Sequence, residues 1–363
     1  MSLEDLRKEI DQVDTKMVEL IAKRVRIAEQ IGNEKKQLGE LIEDKQRENF
    51  VFSEVRKAAL AREIDANNVE NIYKQIIQTC KSVQKTSSVA FQGELGAYSE
   101  EAAFSYFGSS FTINPYESFE KVFKAVEKGE EDFGIVPVEN SLEGSISQVY
   151  DLLLDSPLRV CGEVKLRVVH CLIANPGTQL GSVKKVFSHP QALGQCHIFL
   201  RHLNCELIPT YDTAGSVKMI KEQKVEGNAA IASSRAAELY EMNIIARGIE
   251  DNPNNYTRFF VLSQRDASPS GNNKASIVFS VKHEPGALYN SLKELALRNI
   301  NLTKIESRPT KQKPWEYNFY LDCEGYQDED KLKESLSSLE KNSIFVKLLG
   351  SYQKAKQELW AKH

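Results

Sequence analysis

No apolar run in this chain approaches the ~20 residues that span a bilayer, and its first residues lack the basic-then-apolar order of a secretory leader. Neither a membrane-spanning nor an exported protein is predicted; a cytoplasmic one is expected. Cysteine is sparse: Cys80, Cys161, Cys171, Cys196, Cys205 and Cys323 stand singly, without a Cys-x-x-Cys pair or a histidine cluster at metal-ligand spacing. No disulfide framework and no metal site is expected, and free thiols in a reducing compartment are the default. Adjacent His170 and Cys171, like Cys196 and His197, point in different directions on a strand or a helix. An excess of basic charge is missing too. The net charge is −4, and acidic and basic residues nearly cancel within 1–84, so no field exists to hold nucleic acid or an anionic membrane. Both nucleotide fingerprints, G-x-G-x-x-G and the P-loop lysine, are absent, and no cofactor is implied.

At 363 residues and 41% apolar composition, the chain has material for two or three cored domains. Its grammar changes twice. Residues 3–84 follow a 3.6-residue period, with no proline and glycine only at Gly32 and Gly39, which predicts an all-α segment. The first helix, residues 3–36, would be about 50 Å long, and a full apolar stripe of that length predicts a helical dimer. A polar linker, 85–88, ends this segment. From 89 to 267, short β-branched or aromatic runs such as those at 89–91, 133–137, 184–187, 229–232 and 259–262 alternate with amphipathic helices, predicting an α/β domain. A turn-rich linker, 268–273, leads to a β-α-β-β-α-β pattern over 274–355. There Ile277, Phe279 and Val281, then Leu288, Leu292 and Leu295, then Tyr317, Phe319 and Leu321 mark strand, helix and strand of an α+β ferredoxin-like fold.

On the first helix, Leu6, Ile10, Val13, Met17, Leu20, Ile21, Ala28 and Ile31 share one face, and Arg24 and Lys35 point the same way. A lone buried cation is costly, so an anion should meet them; the alternatives are snorkelling from a dimer seam or pairing with Asp44 and Glu48. Asp44, Arg47 and Glu48 lie at i, i+3 and i+4, and Cys80 and Gln84 at i and i+4. Together with Arg7, these residues reproduce the spacing of the small all-helical chorismate mutases, which the whole of 1–84 resembles. The resemblance implies an intertwined dimer in which Arg24, and Arg7 from across the dimer, hold the carboxylates of chorismate. Lys35 and Gln84 would donate to its ether oxygen, and Asp44, Arg47 and Glu48 would hold the rest. Cys80 stands where some relatives carry serine. A pericyclic rearrangement needs no nucleophile or base, only a fixed conformer and stabilised charge.

In the α/β segment, DNPNNYTRFF at 251–260 joins a turn cluster to an apolar strand, leaving Thr257 and Arg258 at the junction. Its companions are GELGAYSE at 93–100, VPVENSLEGS at 136–145, SHPQALGQ at 188–195 and DTAGS at 212–216. In this order they resemble the motifs of prephenate dehydratase over 89–267. That resemblance implies two lobes like those of type II periplasmic binding proteins, Thr257 as the catalytic hydroxyl, and Glu139, Asn140, Ser141, Ser188 and Gln195 lining the cleft. Arg258 would anchor the loop or offset substrate charge. His189, beside Pro190, is either a general acid or a turn residue.

Pro285-Gly-Ala-Leu288 sets N–H groups at a helix start, a seat for a carboxylate, and Glu306-Ser-Arg-Pro309 ends a strand. The pair resembles the ACT domain of phenylalanine-regulated dehydratases. Pro285, Gly286, Ala287 and Leu288 would meet Glu306, Ser307 and Arg308 across a dimer interface and enclose phenylalanine as feedback inhibitor. The combined resemblance implies conversion of chorismate to prephenate and then phenylpyruvate by a homodimer or tetramer. Arogenate dehydration, or a non-catalytic amino-acid sensor, are the alternatives.

Overall fold

The protein, seen as a computed structural model, is described over residues 2–38, 45–83, 87–109, 111–310 and 315–355. Contacts divide it into two compact units, Met1–Ser87 with Ser109–Thr112, and Ser88–Gly108 with Ile113–His363. No helix among the described residues is long and apolar enough to cross a membrane.

The first unit is helical as expected: α1 (Leu3–Leu38), α2 (Lys45–Leu60) and α3 (Ala66–Val83). Ser2 and Asp5 cap α1 reciprocally, the Asp5 carboxylate accepting from Ser2 N at 2.9 Å and Ser2 Oγ from Asp5 N at 3.2 Å. Asp65 starts α3 by accepting from Asn67 N and Asn68 N at 2.8 and 2.9 Å. α3 packs on both other helices. The N-terminal half of the α1 stripe stays uncovered, with Leu6, Ile10, Val13 and Met17 all exposed.

The second unit begins with β1 (Ser88–Gln92), α4 (Tyr98–Phe107), β2 (Thr112–Tyr116), α5 (Phe119–Glu127), β3 (Phe133–Asn140), β4 (Gly144–Ser145), α6 (Ser147–Asp155) and β5 (Arg159–Arg167). A second lobe follows: β6 (Cys171–Ala174), β7 (Lys185–Ser188), α7 (Pro190–Gln195), α8 (His197–Arg201), β8 (Glu206–Pro209), α9 (Thr213–Gln223), β9 (Asn228–Ala232), α10 (Ser234–Leu239) and β10 (Asn243–Arg247). Its sheet runs β10-β6-β9-β7-β8. Ser118, Asp212 and Ser233 start α5, α9 and α10 by accepting from the N–H three residues on. The chain then returns as β11 (Tyr256–Ser263), which enters the first sheet between β3 and β5, antiparallel to both, in the order β2-β1-β3-β11-β5 with β4 beside β3.

The last segment follows the expected path: β12 (Asn273–Ser280), α11 (Ala287–Leu297), β13 (Leu302–Pro309), β14 (Tyr317–Glu324), α12 (Asp330–Lys341) and β15 (Phe345–Gln353), with sheet order β13-β14-β12-β15. One face of this sheet takes Ile277, Phe279, Leu321 and the leucines of both helices. The other does not face water. Val278, Tyr320, Leu349 and Tyr352 join the core of the first lobe, against Tyr150, Val160, Phe260 and Leu262. The backbones approach so closely that a Cβ at Gly350 would lie 2.1 Å from Val160 O. Lys347 Nζ also caps the end of α6, donating to the carbonyls of Leu153, Leu154 and Ser156 at 3.0, 2.6 and 2.6 Å. Residues 274–355 are therefore built into the same compact unit as 89–267.

Candidate active sites

In the helical unit, Arg24 and Lys35 of α1, Arg47 and Glu48 of α2, and Cys80 of α3 line one cavity of about 370 Å³, walled by Ile27, Ile31, Val51 and Ile77. Arg24 Nη1 donates to Cys80 Sγ at 2.8 Å, Lys81 pairs with Glu48 at 2.8 Å, and the Arg47 guanidinium lies 5.0 Å from the Phe50 ring centroid. Cations fixed on apolar walls suit a small, multiply charged anion. Arg7 does not belong to this cavity: it is exposed and about 25 Å from Arg24 along the helix. Asp44 and Gln84 lie outside the described residues.

The second unit opens a cleft of about 810 Å³ between its lobes. Thr257, at the start of β11, pairs in register with Asn140, at the end of β3, and both line the cleft with Gln195 and His189. Asn140 Nδ2 donates to Thr257 Oγ1 at 3.1 Å. Because that bond occupies a Thr257 lone pair, the hydroxyl keeps its own proton for a ligand. His189 caps α7, its Nδ1 accepting from Gln191 N at 3.3 Å, which is the turn-shaping alternative.

GELGAYSE latches onto the second lobe. Gly96 sits at φ +90°, where a Cβ would lie 2.9 Å from Ala236 Cα, and Ser233 Oγ donates to Gly96 O at 2.7 Å. Arg235 Nε closes the latch on Glu100 at 2.8 Å.

Three residues expected to line the cleft are turned elsewhere, and Arg258 takes the anchoring one of its two expected roles. Ser188 is fully buried and donates to Ile231 O at 2.7 Å, joining β7 to β9. Ser141 braces the loop before β11, donating to Asn254 O at 2.8 Å and accepting from Tyr256 N at 2.9 Å. Glu139 and Arg258 each neighbour a cleft residue on a strand, and strand alternation sends them to the opposite face. There Glu139 pairs with Lys304 at 3.1 Å. The Arg258 guanidinium is buried, donating to Glu163 at 2.7 Å, Asp322 at 2.6 Å and Tyr352 Oη at 3.0 Å. It anchors; it does not offset substrate charge.

At the C-terminal site, Pro285 and Gly286 are exposed and Ala287 and Leu288 begin α11. Glu306 and Arg308 face the first lobe of their own chain: Glu306 takes a hydrogen bond from Ser145, and Arg308 Nη1 donates to Ser147 Oγ at 2.6 Å. Ser307 faces solvent.

Tyr98, His170 and Asn255 also belong to the cleft network and carried no signal of their own in the sequence. Tyr98 Oη lies 2.9 Å from His170 Nδ1, His170 Nε2 lies 3.0 Å from Gln195 Oε1, and Asn255 Nδ2 donates to the same oxygen at 2.8 Å. Tyr98 and Asn255 fall inside the quoted motifs, which was the available hint.

The profile of the chorismate mutase type II family matches residues 6–85, and that of the prephenate dehydratase family matches 89–267. A bifunctional chorismate mutase/prephenate dehydratase of Aquifex aeolicus is 38% identical over 359 residues, covering 97% of this chain and 98% of that protein. An arogenate dehydratase/prephenate dehydratase 2 of Arabidopsis thaliana is 42% identical over 288 residues, covering 76% and 75%. Among solved structures, a prephenate dehydratase of Arthrobacter aurescens in complex with L-Phe superposes with a TM-score of 0.68 at 30% identity, covering 74% of this chain and 90% of that one. With both site architectures carried on one polypeptide matched along nearly its whole length, the chain belongs to the bifunctional chorismate mutase/prephenate dehydratase family.

Proposed function

We propose that Thr257 is the proton donor of the dehydratase step. The enzyme rearranges chorismate to prephenate, then removes carbon dioxide and the ring hydroxyl to give phenylpyruvate. Aromatisation drives the second step, so catalysis consists of helping hydroxide leave as water. A free threonine is far too weak an acid to ionise first, and its proton must pass in concert with departure. The observation that carries this reading is the 3.1 Å bond from Asn140 to Thr257 Oγ1, which makes the threonine an acceptor on the protein side and a donor on the cleft side. Thr257→Ala should lower kcat by about 10²–10⁴-fold with little change in KM; unchanged turnover would reject the role. Asn140 and Gln195 are the companions at the substrate. The Arabidopsis relative's name carries arogenate as a second substrate, and comparing turnover of the two acids separates them.

For the mutase, the domains divide as 1–84, 89–267 and 274–355, and Arg24, Lys35, Arg47, Glu48 and Cys80 surround chorismate, with Asp44 and Gln84 completing the set. Arg7 reaches the site of a second copy, which the uncovered apolar stripe on α1 supports. Residues 274–355 act as an ACT domain binding phenylalanine at Pro285 to Leu288 and Ser307, with Glu306 and Arg308 holding β13 against the first lobe; the phenylalanine complex of the Arthrobacter relative supports this. Inhibition requires that phenylalanine favour a less active arrangement of the cleft.

A further inference from the structure

A chain of amides in the cleft has its polarity fixed from one end. The N–H groups of Leu142 and Glu143 both donate to Asn140 Oδ1, at 3.0 and 3.1 Å, so the other end of that amide is the NH₂. It donates to Asn255 Oδ1 at 2.8 Å as well as to Thr257. Asn255 must then present its own NH₂ to Gln195 Oε1. With that oxygen an acceptor, the His170 Nε2 that faces it at 3.0 Å carries the proton. Nδ1 is left to accept from the Tyr98 hydroxyl at 2.9 Å, a proton for which the Val169 carbonyl, at 3.0 Å, is the competing acceptor. The ring is only 2% exposed, and burial holds it neutral by lowering its pKa, the Gln195 bond offsetting part of the effect.

Both donors to Gln195 Oε1 sit on the segments that connect the lobes. His170 lies between β5 and β6, Asn255 between β10 and β11, and Val168 N donates to Asn255 O at 2.8 Å across them. What remains is Gln195 Nε2. It lies on the cleft wall, buried, with no hydrogen-bond partner among the described residues. A buried donor without an acceptor is unfavourable, and a bound acceptor relieves it.

We propose that His170 and Asn255, with Tyr98 behind His170, are positioning residues that aim the Gln195 amide at a carboxylate oxygen of the dehydratase substrate. This rests on reading the cleft as the dehydratase site around Thr257. A carboxylate only accepts, which matches a group that only donates, and the nearby Arg258 is committed to the opposite face of the sheet.

The test uses the full chain and steady-state kinetics with prephenate. His170→Phe removes the donor, His170→Gln returns an N–H near the Nε2 position, and Tyr98→Phe keeps the ring volume. His170→Phe should raise KM about tenfold, the worth of one hydrogen bond, with a smaller effect on kcat. Tyr98→Phe should raise it less, and His170→Gln should recover most of the loss. Combined with Gln195→Leu, His170→Phe should add little, and chorismate mutase turnover should not change in any of these proteins. An additive loss in the Gln195→Leu background, or a His170→Gln protein no better than His170→Phe, would overturn the assignment. ¹⁵N spectra of histidine-labelled unmodified protein should show the Nε2–H tautomer for His170; the Nδ1–H tautomer overturns the proposal without any variant having to fold. Full turnover in Thr257→Ala is a separate result that rejects the cleft reading itself.

Discussion

Arg258 Nη1 donates to Asp322 Oδ2 at 2.6 Å, so the strand that carries Thr257 is tied through its very next residue to the C-terminal sheet. The cluster is closed by Glu163, Lys274, Ser276 and Tyr352. Asp322→Asn should leave a buried guanidinium without its nearest countercharge. The expected cost is about 3–5 kcal/mol, read as a lower denaturation midpoint for dehydratase activity. A midpoint equal to that of the unmodified protein would show that Glu163 alone suffices.

Acid sensitivity follows from the same cluster. Burial alone would raise the Asp322 and Glu163 pKa values, but Arg258 and then Lys274 outweigh it and hold both below their ordinary range. Folded protein therefore binds fewer protons there than unfolded protein does. The resulting stability is complete above the unfolded carboxylate range of about 4 and is lost as pH falls through the lowered folded values. The cluster's own contribution to the unfolding midpoint, read as the difference between unmodified protein and Asp322→Asn, should be flat from about pH 7 to 5 and fall below about 4. The Asp322→Asn protein should therefore show the shallower acid limb of the two.

Reversing the polarity at Asn140 tests the Thr257 proton directly. Asn140→Asp keeps the shape and still accepts from Leu142 N and Glu143 N, but it offers Thr257 an acceptor in place of a donor. The hydroxyl should then turn away from the substrate. Dehydratase kcat should fall by about 10² or more, and Thr257→Ala added to it should cost little further. Strictly multiplicative losses would show that the two side chains act separately.

The mutase and dehydratase sites share no residues, so they should fail independently. Lys35→Ala removes a cation from the helical cavity and leaves the cleft untouched. Chorismate turnover should be nearly abolished, and prephenate turnover by the same protein should stay within about twofold. Residual chorismate turnover close to that of the unmodified protein would remove Lys35 from the site.

The parts legible in the sequence are those set by local spacing. Arg24, Lys35, Arg47, Glu48 and Cys80 converge because helical periods aim them. Ile277, Phe279 and Leu321 are core because strand alternation puts them on one face. Strand period also required that Thr257 and Arg258 face opposite ways, yet it cannot say which of the two faces the cleft. That choice is made by β3, β5 and β14, which pair or pack from far along the chain. The partners of His170 are equally distant: Tyr98 is 72 residues away and Gln195 is 25. No periodicity encodes such meetings, and a lone histidine beside Cys171 carries nothing to distinguish it. Ser188 erred for a related reason. A motif reports that a residue belongs to a site's neighbourhood, not that its side chain faces inward.

β11 has a consequence for how the protein comes into being. It is an inner strand of the first sheet, flanked by β3 and β5, but it is translated only after the whole second lobe. A ribosome at ~5–20 residues per second needs roughly 5 to 20 s to make the roughly 90 residues that separate β5 from β11. Throughout that interval the nascent chain holds two strands whose facing edges lack the partner they will share, and open edges are templates for intermolecular pairing. That open pair of edges is a vulnerability which the equilibrium stability of the finished fold does not reveal.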